Sequence, residues 1–412
     1  MLSVSKILED IAAGRDSAEA AITRSRALID ERDGEIQAFE AVSPVYGPIA
    51  SEGPLAGIAV GVKDIFDSYD MPTTYGSPLY HGYQPRADAP VVAMTRARGA
   101  YVIGKTVTTE FAFMKASRTA NPHDPAHTPG GSSSGSAAAV AAGMIPAAIG
   151  TQTGGSVVRP ASFCGVSGFK PSFRLFPSGG MKTFAWTLDT TGFFAASARD
   201  VALFAALLCG RDLTADDLDD APRIGLYRSA VDDQASPDML AAVAQAADIA
   251  RASGASIVEI AEPEEIRRGR EVHAVIQGYE AAISMAHELA YHADALSPTL
   301  RETLEEGRAI LPQAYDEARR RARHARKAAT RLFDEVDVLL APSATGVAPR
   351  DRDTTGTALF NKVWTLTGVP CVNVPGLTDS AGMPLGVQVI GRFGRDKQAL
   401  QAANWLETRL AT

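Results

Sequence analysis

The stretch "GTQTGGSVVRPA", residues 150–161, decides how this chain is read. It completes an apolar run, "IPAAIGTQ" (145–152), that has the character of a strand. Ser156 follows Gly154 and Gly155, with Arg159 three residues on. Glycines accept unusual dihedrals and let a ligand approach the backbone closely. A serine in such a turn has the form of a nucleophile. The backbone N–H groups of Thr153, Gly154 and Gly155, if they converge, would form an oxyanion hole beside it. A purely structural Gly-Gly turn is the competing reading. A serine nucleophile needs a base, and the stretch contains no histidine.

The seven histidines are His81, His123, His127, His273, His287, His292 and His324. His123 and His127 sit in a Pro-rich loop with no carboxylate motif beside them, and the rest are scattered. None makes a Ser-His-Asp arrangement. Lysine is the other base available. Its ordinary pKa of about 10.4 falls by several units in an apolar site. Lys63 closes the apolar strand "GIAVGVKD" (57–64) and is placed for such treatment; a lysine snorkelling from the sheet end is the plainer alternative. A third piece, "PGGSSSGSAAAV" (129–140), is a Gly/Ser loop running into a small-residue helix. It lacks the Gly-Lys-Ser/Thr ending of a phosphate-binding loop, so a rigid turn presenting hydroxyls is the better reading.

Composition bounds the rest. The chain has 412 residues, 46% of them hydrophobic and 21% charged, with a formal net charge of −8. That suits a globular protein with an ample core and argues against a general nucleic-acid binder. Cys164, Cys209 and Cys371 form neither a disulfide framework nor a zinc pattern, so no metal and no cofactor is expected. No apolar stretch is long enough to span a membrane. The amphipathic N-terminus does not read as a secretion signal, which makes the cytoplasm the expected location.

Residues 4–42 read as two helices. Strands are expected at 53–64, 101–106 and 145–152, and again in "VDVLLAPSA", "CVNVPG" and "PLGVQVIG". A helix-rich, highly charged insertion covers about 230–335. The expectation is an α/β fold: one large domain over 1–412, with a mixed, mostly parallel central sheet covered by helices on both faces. The aromatic loop holding Tyr75, Tyr80 and Tyr83, and the stretch with Phe360, Asn361 and Trp364, are candidate pocket walls.

Taken together, "AVGVKD", "PGGSSSGSAAAV" and "GTQTGGSVVRPA" resemble the amidase signature family, most specifically over residues 50–175. Ser132 stands 24 residues before Ser156, as that pattern requires. The resemblance implies an amidohydrolase with a Ser–cisSer–Lys triad. Ser156 would be the nucleophile, Ser132 would follow a cis peptide bond and bridge, and Lys63 would be the base. Thr153, Gly154 and Gly155 would form the oxyanion hole, and Gly131, Ser133 and Arg159 would contact substrate. The sequence departs from the usual family pattern at two places. Gln152 stands where an aspartate is usual, and Val158 where an arginine is usual, so the family's ion pair is gone and Arg159 is released. The variant motif is most similar to that of malonamidases, which hydrolyse malonamate. Arginine suits a carboxylate, so a small carboxylate-bearing amide is the expected substrate, with a homodimer as the assembly the resemblance allows. The alternative is the glutaminase (A-type) subunit of a tRNA-dependent amidotransferase, which acts with partner chains.

Overall fold

The computed structural model describes residues 1–43, 49–218 and 220–411. Eleven strands form one sheet: β1 (Phe39–Val42), β2 (Ala59–Lys63), β3 (Tyr101–Thr106), β4 (Ala147–Gln152), β5 (Ser167–Lys170), β6 (Thr190–Ala195), β7 (Arg223–Arg228), β8 (Ser256–Ala261), β9 (Val338–Pro342), β10 (Cys371–Thr378) and β11 (Pro384–Gly391). Their order across the sheet is β1-β3-β2-β4-β6-β5-β10-β11-β9-β7-β8. The helices are α1 (Val4–Ala12), α2 (Ala18–Ile36), α3 (Pro90–Ala97), α4 (Ser134–Ala141), α5 (Val158–Cys164), α6 (Ala198–Cys209), α7 (Pro237–Ala252), α8 (Glu264–Ser284), α9 (Ala286–Tyr291), α10 (Pro298–Ala309), α11 (Pro312–Arg331), α12 (Lys362–Thr367) and α13 (Asp396–Leu410).

The α/β class and the single mixed sheet are as expected, but the sheet is not mostly parallel. Parallel pairing is confined to β2 with β3 and β4, and to β7 with β8 and β9. The six remaining ladders are antiparallel. For β10 and β11 the reason is local: β10 returns through a short turn into β11, and short connections between sheet neighbours favour antiparallel pairing. Residues 39–42 also leave the helical reading and pair as β1. The charged segment 264–331 is largely helical, as expected of the helix-rich insertion, and α8 packs against α10, α11 and α12.

The centre of the sheet is made for close packing. All of β2 and β4 is buried. Gly150, inside β4, is needed because a Cβ there would lie 2.7 Å from both Phe194 Cε2 and Ser133 Oγ. β2 and β4 run parallel, with Val60–Val62 opposite Ala147–Ile149. Their carboxyl ends therefore emerge side by side, where open α/β sheets build their sites.

Candidate active site

Lys63 ends β2, and the parallel register sets it against the end of β4. Its Nζ is 2.7 Å from Thr151 Oγ1 and 2.7 Å from Ser132 Oγ. Ser132 follows a cis peptide bond from Gly131. Lys63 is fully buried. Burial pushes its pKa well below the ordinary 10.5, against a weaker opposing pull from the Asp189 charge. Burial thus favours the neutral amine between the two hydroxyls. Ser156 is 8% exposed, in the turn between β4 and α5. Its hydroxyl makes no hydrogen bond among the described residues, so the Ser132–Ser156 link is open in this state. Catalytic hydrogen bonds often tighten only with substrate in place.

The turn itself is pinned from behind. Three consecutive carbonyls are each engaged. His273 Nε2 lies 2.9 Å from Thr153 O, Thr365 Oγ1 donates to Gly154 O (2.8 Å), and the Arg159 N–H donates to Gly155 O (2.9 Å). The N–H groups of Thr153, Gly154, Gly155 and Ser156 have no protein acceptor among the described residues. Thr153 is gripped a second time, its Oγ1 donating to Asp189 Oδ1 at 2.5 Å. Burial pushes Asp189 up to about 6, while its other oxygen accepts from Phe184 and Ala185 N–H. His273 is fully buried on α8, and burial pushes it down to about 4. It is neutral, and the proton sits on Nε2, because a carbonyl can only accept.

Gln152 explains how the turn survives without the usual ion pair. Its Oε1 accepts from Val157 N (2.9 Å) and Val158 N (3.1 Å), and its Nε2 donates to Thr365 Oγ1 (3.0 Å). A neutral amide thus serves the first N–H groups of α5. Arg159, one residue past the usual position, turns elsewhere. It is 5% exposed and forms no ion pair among the described residues. Nη2 donates to Gly131 O (2.5 Å) and reaches Thr355 Oγ1 (3.4 Å), while the buried Nε has no partner. Burial pushes its pKa down only to about 10, so it is charged at neutral pH.

Ser156, Thr153, Gly154, Gly155 and Arg159 share the wall of one cavity of about 500 Å³. Lys63 and Ser132 are buried outside that wall. The rest comes from far along the chain: Phe113 and Phe184 give an apolar side, His273 and Gln277 come from α8, Glu306 from α10, and Ala358 and Lys362 from the α12 approach. Sequence reading missed His273, Lys362, Thr151 and Asp189. Only the end position of Thr151 on β4 carried a signal. Ser133 and Gly131 do not line the cavity. The Ser133 hydroxyl bonds to the Thr151 backbone (3.2 Å), and Gly131 offers its carbonyl to Arg159. Tyr75, Tyr80 and Tyr83 pack on one another instead. Phe360 and Trp364 are buried behind the wall. Asn361 supports the turn from behind: a Cβ on Gly155 would lie 2.5 Å from its Oδ1. His123 bonds to the Cys164 carbonyl and His127 pairs with Asp124, so neither joins the site. Among the described residues no metal-ligating cluster occurs.

A serine beside backbone donors that have no protein acceptor among the described residues, near a buried lysine bonded to two hydroxyls, is an arrangement that can support serine-based amide hydrolysis. Residues 36–400 match the amidase family model, and the chain belongs to the amidase signature family, hydrolases that act on C–N amide bonds. Among curated relatives it is 33% identical over 465 residues to the A-type subunit of glutamyl-tRNA(Gln) amidotransferase from Anaeromyxobacter sp. (strain K), covering 97% of this chain and 94% of that one. Among solved structures it is similar to an amidase (TM-score 0.88, 26% identity, 99% and 100% of the two chains). It is similar also to the A-type glutamyl-tRNA(Gln) amidotransferase chain of Thermotoga maritima (TM-score 0.84, 26% identity, 99% and 94%).

Proposed function

We propose that the chain hydrolyses a small amide carrying a carboxylate, of the malonamate kind, through an acyl-enzyme on Ser156. In this reading the Lys63 lone pair takes the Ser132 proton while an N–H of the amine donates to Thr151. Ser132 in turn takes the proton of Ser156 as its Oγ attacks the amide carbonyl. The free N–H groups of residues 153–156 receive the oxyanion, each such donor contributing on the order of 10²–10³ in rate. The proton returns along the relay to the amine, ammonia leaves, and water releases the acid by the same route.

The observation that carries the substrate reading is the Arg159 guanidinium. Among the described residues it is a buried cation without a counter-ion, it has an unpartnered Nε, and it shares a wall with Ser156. Burying an unpaired charge is costly, and a substrate carboxylate would repay it. The identities to A-type amidotransferase chains favour a second reading, a glutaminase working with other chains. Glutamine also carries a carboxylate, but with an ammonium beside it. The two readings separate on ammonia release from malonamate, glutamine and propionamide. The first predicts malonamate well ahead, and a drop of about tenfold or more in kcat/KM for it in Arg159→Ala. Preference for glutamine, or an unchanged kcat/KM in Arg159→Ala, would hand the site to the second.

A further inference from the structure

Resting on the Arg159 reading, we propose that Lys362 is the second cation of the carboxylate site and sets its selectivity. The geometry points to net-anionic monoamides of short dicarboxylic acids, taken in preference to zwitterionic amino-acid amides. Lys362 lies on the wall that holds Ser156 and Arg159. Its stem runs along the nucleophile turn, with Cγ 3.9 Å from where a Gly154 Cβ would stand. Among the described residues its ammonium has no hydrogen bond and no ion pair, whereas Lys6, Lys105, Lys182 and Lys397 pair with carboxylates.

What faces Lys362 is the unusual part. Arg159 on α5 is a like charge, His273 on α8 is neutral, and among the described residues the one acid on the cavity wall is Glu306 of α10, which is exposed. Two cations turned toward one cavity repel each other in the empty site, and a bound anion relieves both. Burial first, and then the Arg159 charge, push the Lys362 pKa below its ordinary 10.5. A substrate carboxylate has two oxygens, one for each cation. A substrate ammonium would meet the same pair as a repulsion, which is how a site rejects a near relative of its substrate.

The test is calorimetric binding of malonate to the unmodified protein and to Lys362→Met, Lys362→Arg and Arg159→Met, each checked for native near-UV circular dichroism. The expected result is a loss of about tenfold or more in malonate affinity for Lys362→Met, with most of it regained in Lys362→Arg. In turnover, the KM for malonamate rises more than kcat falls, and the ratio of malonamate to glutamine kcat/KM drops. If Lys362→Met bound malonate within twofold of the parent while Arg159→Met lost it, Lys362 would be excluded and the Arg159 reading kept. If the arginine variant bound as weakly as the methionine variant, charge would not be the cause and the proposal would fall. Malonate binding absent from the parent, or unaffected by either substitution, would remove both readings. Should Lys362→Met not fold, Lys362→Gln takes its place.

Discussion

A lysine acts as a base only where its ammonium form is made costly. At Lys63 that cost comes from complete burial, and the two neighbouring hydroxyls solvate a neutral amine adequately. The sign for pH follows. Burial lowers the pKa, so the base is protonated and idle in acid, and kcat/KM rises with pH through a value well below 10.5. Steady-state pH profiles check this, and an acid optimum would contradict it. Lys63→Met should lose about 10³-fold or more in kcat with its fold intact. The three residues proposed as the relay stand out in the sequence because each sits in a short motif of its own. His273 and Lys362 do not. His273 meets Thr153 across 120 residues of chain, and nothing local distinguishes it from an ordinary core histidine.

The β4–α5 connection shows how an element can be shaped by what holds it from outside. Its carbonyls are taken by α8, α12 and the first turn of α5, which leaves its N–H groups to the cavity. His273→Ala removes one of the three holds. The expectation is a fall in kcat of about tenfold or more, a KM that changes less, and a melting temperature lowered by a few degrees. A change confined to stability would make His273 a packing residue only. Strand β4 was readable from its apolar run, but β1, β5, β6, β7 and β8 were not. β1 is four residues long and β8 is an edge strand with most of its positions exposed, so neither carries a clear alternation. Pairing partners distant in sequence decide such strands.

Across the whole molecule the sheet joins strands from residue 39 to residue 391, and the cavity takes its walls from segments between residues 112 and 362. Calorimetry should therefore show one cooperative transition for the chain; two separable transitions would argue for independent units. The α8–α10 crossing depends on Gly307, where a Cβ would stand 2.1 Å from the Gly278 carbonyl oxygen. Both glycines line the cavity, so Gly307→Ala should cost about 1–3 kcal/mol of stability and disturb substrate binding with it. The parallel ladders around β2 and β7 fit the expectation and the six antiparallel ladders do not, because chain direction across a sheet is set by which neighbours meet, not by any one strand's composition. The central claim is that Ser156 is a nucleophile activated by Lys63 without a histidine. Its most direct test is labelling with phenylmethylsulfonyl fluoride, located by peptide mass spectrometry across a pH series. The account predicts a single adduct on Ser156, formed faster as pH rises and nearly abolished in Lys63→Met. An adduct on another residue, or equal labelling of Lys63→Met, would contradict it.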